Sequence, residues 1–218
     1  MVVVAPTVGV LALQGNVTAH LEKLAALGAV GVEVRVPDDL RGIDALILPG
    51  GESTTMSKLL CLAGLFNPLR EALDSGLPVL GTCAGLILLS SEVVDGRSDQ
   101  QTFDVLDVTT RRNAYGRQNQ SFETSLELEP AQWGQQHTAQ RPSEAERFDP
   151  RTAVRPEMPA VFIRAPRIET VGEPVEVLAQ YSGHPVLVEQ GSILAATFHP
   201  EMTEDLRVHR RLLDKVRS

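Results

Sequence analysis

Leu77-Pro78-Val79-Leu80-Gly81-Thr82-Cys83-Ala84-Gly85-Leu86-Ile87-Leu88-Leu89 passes from a strand-like run, through a Gly-x-Cys-x-Gly turn, into a helix-like run. Cys83 therefore stands where the chain leaves a sheet and enters a helix, the nucleophile-elbow arrangement with sulfur in place of oxygen. Glycines two residues to either side relieve crowding at such a turn. The helix N-terminus that follows offers positive potential and free N–H groups, both of which favour a thiolate.

Upstream of the elbow the same strand-then-helix rhythm repeats. Val8 to Leu13 is a continuous apolar run, as expected of a strand buried on both faces, and Gln14-Gly15 ends it. Asn16 is placed to cap a following helix, in which Val17, His20, Leu21, Leu24 and Leu27 fall at helical spacing and Gly28 suits the stop. Val32 to Val36 alternates like a strand, Pro37-Asp38-Asp39 breaks it, and Ala45 to Leu48 is a second buried strand ending in Pro49-Gly50-Gly51. Leu59, Leu60, Ala63, Leu69 and Leu73 then mark one or two helices, with Asn67-Pro68 as a break and start between them. Alternation of this kind predicts a mostly parallel sheet covered on both faces, with ligands bound beyond the C-terminal strand ends.

From Phe103 onward the pattern changes to short strand-like runs. They include Phe122 to Leu128, Val161 to Ile163, Val175 to Tyr181, Pro185 to Glu189 and Ile193 to Phe198, closed by a helix near Glu204 to Val216. Residues 129–159 hold five prolines and few aliphatics, which predicts a mobile insertion in an otherwise single domain spanning 1–218.

The 218 residues are 43% hydrophobic and 22% charged, as in globular chains. The net charge of -8 and the lack of a basic stripe argue against a grip on nucleic acid. No stretch approaches the roughly 20 apolar residues of a membrane span, and the apolar start lacks a charged leader. The expectation is a soluble, cytoplasmic protein without a membrane role. Two cysteines make no disulfide framework, and five histidines without zinc-binding spacing predict no metal.

A thiol with an ordinary pKa near ~8.5 is mostly protonated at neutral pH, so a cysteine nucleophile needs a base. His199 is the candidate. Ala195-Ala196-Thr197-Phe198 reads as a strand delivering it to a sheet end, Pro200 stops that strand, and Glu201 is placed to hold the second ring nitrogen. A cysteine at such a turn also serves as plain packing, and the His-Pro-Glu segment is what favours chemistry. Cys61, inside Leu59-Leu60-Cys61-Leu62-Ala63, has no nearby base and is assigned to the core. Pro49-Gly50-Gly51-Glu52-Ser53-Thr54-Thr55 lacks the ending of a phosphate loop, yet its backbone N–H groups suit an oxyanion. Ser53 or Thr54 is placed to cap the helix after it. Arginines beside glycine or proline, in Arg111 to Arg117 and at Arg164, suit a substrate carboxylate or a solvated surface equally.

Together, Leu13-Gln14-Gly15, Pro49 to Thr55, Gly81 to Gly85, Arg112-Asn113-Ala114-Tyr115-Gly116-Arg117-Gln118, Phe162 to Pro166 and Phe198-His199-Pro200-Glu201 resemble the glutaminase subunits of pyridoxal 5′-phosphate synthase. These belong to the class I glutamine amidotransferases. The resemblance covers nearly the whole chain and implies a flavodoxin-like, three-layer α/β fold. It implies that Cys83 attacks the side-chain amide of L-glutamine, that His199, backed by Glu201, protonates the departing ammonia, and that water hydrolyses the glutamyl thioester. By the same resemblance, Gly51, Glu52, Ser53, Arg112, Ile163 and Arg164 bind glutamine, while the backbone near Gly51 and Ala84 forms the oxyanion hole. Ammonia would pass to a barrel-shaped synthase subunit in a hetero-oligomer, Gln14 and the helix from Asn16 to Leu27 facing that partner. Pyridoxal phosphate is then a product, and no cofactor is implied. The chain departs from the family pattern in its longer 129–159 stretch, in Ala19 where an acidic residue is common, and in Phe103-Asp104 where Leu-Gly is usual. Two alternatives share the fold: the glutaminase subunit of another amidotransferase, and a non-catalytic regulatory subunit.

Overall fold

The computed structural model describes residues 4–97, 99–112, 121–128, 133 and 156–216. Its centre is a seven-stranded sheet in the order β10-β11-β12-β4-β3-β1-β2. The strands are β1 (Thr7–Leu11), β2 (Val30–Val34), β3 (Ala45–Leu48), β4 (Val79–Thr82), β10 (Glu176–Tyr181), β11 (His184–Gln190) and β12 (Ile193–Ala196). Every pairing from β12 through β4, β3 and β1 to β2 is parallel; the β12–β11 and β11–β10 pairings are antiparallel, so β11 alone runs against the other six strands.

The strands are apolar along their whole length because both faces are covered. Val8, Val10, Ala45, Ile47, Leu80, Leu194 and Ala196 pack into one core with Leu24 of α1 (Val17–Ala26) and with Val208, Leu212 and Leu213 of the last described helix, α5 (Arg207–Val216). The alternating Leu46, Leu48, Val79, Ile193 and Ala195 pack into a second core with α2 (Ser53–Leu62), α3 (Phe66–Asp74) and α4 (Ala84–Leu89). This is the period-2 alternation of a strand, with both faces apolar.

Two smaller sheets complete the β-rich half. β5 (Ser90–Val93), β6 (Leu106–Arg111) and β9 (Arg167–Val171) form one, and the antiparallel pair β7 (Ser121–Glu127) and β8 (Glu157–Ile163) forms the other. β5, β6 and β9 carry no strong apolar alternation and were not anticipated from sequence. Leu106 and Val108 of β6 and Ile168 of β9 join the second core, and pairing and ion pairs such as Arg111–Glu169 at 2.6 Å hold the rest.

Helix boundaries follow local chemistry. The Asn16 side chain accepts a hydrogen bond from the Ala19 N–H, and Gly28 takes φ +75 after α1. The cap of α2 is Glu52, which accepts from the Thr54 and Thr55 N–H groups, rather than Ser53 or Thr54. The α2/α3 division falls at Gly64, with φ +66, and Pro68 lies inside the first turn of α3, where it displaces no intrahelical hydrogen bond. Asp104, standing where the related pattern has glycine, takes φ +51, a conformation aspartate tolerates better than most residues. Cys61 is exposed and not in the core, because the last turn of α2 carries it and Leu62 past the packed face.

Of the expected insertion, residues 129–132 and 134–155 lie outside the described residues. Trp133 does not behave as an insertion residue: it is 1% exposed, joins the first core and lies beneath the Arg211 guanidinium. β8 begins at Glu157, so the last residues of the expected insertion are paired strand. Among the described residues no helix is long and apolar enough to cross a membrane.

The elbow is the tightest point. A side chain on Gly85 would strike the Leu48 carbonyl of β3, and one on Gly81 would meet Gly85 itself. Gly85→Ala is expected to cost about 1–3 kcal/mol through overpacking, read in thermal unfolding as a fall of roughly 2–4 °C per kcal/mol. Leu62→Ala, at an exposed site, should leave Tm unchanged. Equal melting of the two variants would contradict this account of the elbow.

Candidate functional site

The three neighbouring parallel strands β12, β4 and β3 end on the same edge of the sheet, and each delivers one part of the site. Cys83 follows β4 directly, with its N–H donating to the Ala196 carbonyl of β12 at 2.8 Å. It takes φ 49 and ψ -101, a left-handed backbone at a non-glycine residue, so the chain turns at once into α4. Cys83 is 6% exposed, and its sulfur lies 4.0 Å from the Ile163 carbonyl of β8.

His199 stands three residues beyond the end of β12, tied by its N–H to the Val161 carbonyl at 2.8 Å. Its Nδ1 lies 2.8 Å from Glu201 Oε1. Burial disfavours charge on the ring, but its contacts with the Cys83 sulfur and the Glu201 carboxylate outweigh that and raise its pKa from 6.5 to about 10. Burial also opposes charge on Glu201, and the hydrogen bond from His199, helped by His20, brings its carboxyl below the usual range. The paired groups keep each other ionised.

The end of β3 supplies the third part. Gly50 lies beneath the His199 ring so closely that any side chain there would displace it. The Gln14 side-chain oxygen, Oε1, accepts the Glu52 N–H at 3.0 Å and so fixes the turn between Gly51 and α2. Burial opposes charge on Glu52, but hydrogen bonds from Thr55 and Thr54 bring its pKa down to about 2. Arg112 donates to Glu52 at 2.7 Å, to Thr54 Oγ1 at 3.0 Å and to Gln100 at 3.3 Å.

These groups line one pocket of about 350 Å³. Its wall includes Cys83, His199, Glu201, Ile163, Gly51, Glu52, Ser53, Arg112 and Arg164. All the residues predicted from sequence to react or to bind substrate side chains therefore come together. Ala84 stands behind them as the first residue of α4, 1% exposed. Arg164 takes φ +44 and, among the described residues, makes no hydrogen bond or ion pair. Residues 113–118 of the Arg-Asn segment lie outside the described residues. Sequence reasoning missed Gly50, whose need for a bare backbone shows only once His199 is placed above it. It also read His20 as one more residue of a helical face; a histidine on an apolar stripe was the available signal.

A strand–cysteine–helix turn in an α/β sheet, with a buried His-Glu pair against the sulfur, defines the glutamine amidotransferase class. The chain belongs to the SNO glutamine amidotransferase family, whose sequence profile matches residues 10–218. It is 49% identical to the pyridoxal 5′-phosphate synthase subunit PdxT of Mycobacteroides abscessus over 98% of this chain and 99% of that protein. It is 47% identical to the subunit of the same name from Streptomyces coelicolor over 98% and 95%. A crystal structure of a glutamine amidotransferase, 43% identical, superposes with a TM-score of 0.80 over 97% of this chain and 99% of the other. PurLQS from Thermotoga maritima shares the fold at 16% identity and a TM-score of 0.62, covering 97% of this chain and 99% of that one.

Because two contacts hold the His199 proton, removing one should release it. NMR titration is expected to show His199 charged through neutral pH and losing its proton near about 10. In Cys83→Ala the midpoint should fall toward 6.5, with Glu201 as the remaining support. An unchanged midpoint would mean the sulfur does not sustain the charge.

Proposed function

We propose that this chain hydrolyses L-glutamine to L-glutamate and ammonia, as the glutaminase subunit of a pyridoxal 5′-phosphate synthase, and passes the ammonia to a barrel-shaped synthase subunit. The observation that carries the chemistry is the sulfur of Cys83 against a charged His199, held by Glu201, in a pocket also lined by the ionised Glu52 carboxylate and the Arg112 and Arg164 guanidinium groups. A free amino acid carries one ammonium and one carboxylate, and the Glu52, Arg112 and Arg164 set complements both. The relatives named as synthase subunits support the choice of acceptor.

In this reading the Cys83 sulfur attacks the side-chain carbonyl carbon. The oxyanion that forms is met by backbone N–H groups at Ala84 and at the Gly51 turn, each such donor being worth about 10²–10³ in rate. His199 gives its proton to the amide nitrogen, the C–N bond breaks and ammonia leaves. Water then adds to the glutamyl thioester, giving a proton back to His199 as the C–S bond breaks, and glutamate departs. Glu201 keeps the ring in the one orientation that serves both steps.

Glutamate release should be measured with the synthase subunit present. Cys83→Ala is expected to reduce turnover by on the order of 10³-fold or more, while Cys61→Ala, exposed and remote from any base, retains it. Turnover surviving in Cys83→Ala would overturn the assignment.

Arg164→Met removes the free guanidinium and should raise KM for glutamine by about 10-fold or more, with a smaller effect on kcat, as expected for a lost charge-assisted hydrogen bond. A KM unchanged from wild type would remove Arg164 from the substrate set.

A further inference from the structure

Behind Glu201 lies a pair of histidines that the chemistry above does not use. His20 of α1 and His209 of α5 are both 0% exposed, with His20 Nδ1 and His209 Nε2 3.0 Å apart. His20 Nε2 faces the second carboxylate oxygen of Glu201, Oε2, at 3.5 Å. Among the described residues Oε2 makes no hydrogen bond. His20 Nε2 is likewise buried without a hydrogen bond among the described residues, and a buried carboxylate oxygen left without a donor is costly, which favours pairing these two atoms.

We infer that His20 and His209 are positioning residues for the glutaminase reaction, forming a buried relay that holds Glu201 ionised and correctly turned behind His199; this rests on the function proposed above. The argument is one of proton counting. Burial lowers the pKa of His20 to about 4 and of His209 to about 3, so each neutral ring carries a single proton at neutral pH. The contact between the rings holds one of those protons. If it sat on His20 Nδ1, a bare lone pair at His20 Nε2 would face the Glu201 carboxylate. The carboxylate therefore selects the other tautomer: His209 Nε2–H donates to His20 Nδ1, and His20 Nε2–H points to Glu201 Oε2. His209 Nδ1 is left as a buried acceptor without a partner among the described residues. The donors run from α5 through α1 to Glu201, opposite the His199 Nδ1–H that reaches Oε1 at 2.8 Å.

The charged and titratable groups facing the pair are Glu201 and His199 from the turn after β12 and, toward His209, Lys23 from α1. A metal is not needed to explain the pair, since no group of three or more ligating side chains arranged for one occurs among the described residues.

The test has two arms. In wild-type protein, ¹⁵N NMR of the histidine rings should find His20 and His209 both protonated on Nε2 at neutral pH; a proton on His20 Nδ1 overturns the relay, whether or not the chain is a glutaminase. In glutaminase assays with the synthase subunit, His20→Leu should lower kcat by ~10–100-fold with KM little changed, as for other residues that orient a working histidine. It should also move the acid limb of the pH profile upward, since Glu201 loses a donor that favours its charge. His20→Gln, whose amide nitrogen reaches the Nε2 position, should recover most of kcat. Wild-type kcat and pH profile in His20→Leu, or a loss that His20→Gln does not relieve, would overturn the proposal. Failure of Cys83→Ala to abolish turnover would instead count against the reaction itself.

Discussion

The parallel pairing of β4 between β3 and β12 is the constraint on which the site depends. Leu48 and Ala195 both pair with Gly81, and Ala196 pairs with Thr82, so three chains reach the sheet edge in step. A parallel pair cannot be closed by a tight hairpin, so the segments that follow these strands leave the edge separately. One becomes a sulfur on a sharp turn, one an imidazole, and one a glycine turn with an acidic cap. A slip of one residue in β4 would turn Cys83 to the opposite face.

Close approach at that edge explains the glycines. Gly85 passes against the Leu48 carbonyl, Gly50 beneath the His199 ring, and Gly15 takes φ +99 where any side chain would meet the Gly50 carbonyl. Each marks a place where a backbone must lie where a side chain would otherwise be. Cys83 and Arg164 carry the opposite burden, left-handed backbone on residues with side chains, and both line the pocket. Strain of about 1–3 kcal/mol at such positions persists only where the surroundings enforce it. Here two dry cores on either face of the sheet do so.

The electrostatics follow from the same geometry. Because Cys83, His199 and Glu201 are buried together, their contacts act with little solvent screening, and a charged imidazole is sustained where burial alone would discharge it. His20 and His209, buried beyond the reach of the sulfur, show that other outcome: burial dominates and both remain neutral. The two helices that carry them also close the first core, so packing of α1 and α5 and the setting of Glu201 are one and the same contact.

Local chemistry was enough to read the parallel α/β plan, the elbow, the His-Pro-Glu segment and the caps at Asn16 and Gly28, because each is written in adjacent residues: apolar runs, turn glycines, a proline after a strand. The expectation that Gly51, Glu52, Ser53, Arg112, Ile163 and Arg164 bind substrate came from likeness to a family. What the chain alone does not express is what depends on distant partners. β5, β6 and β9 are short and put only Leu106, Val108 and Ile168 into the core, too few to mark a strand before their partners are known, and Trp133 looks like part of a loop until α5 is packed over it. Cys61 looks buried by its apolar neighbours, yet its position at the end of α2 turns it to solvent. His20 and His209 are 189 residues apart, and only the meeting of α1 and α5 beneath Glu201 makes two unremarkable histidines into a chain of donors.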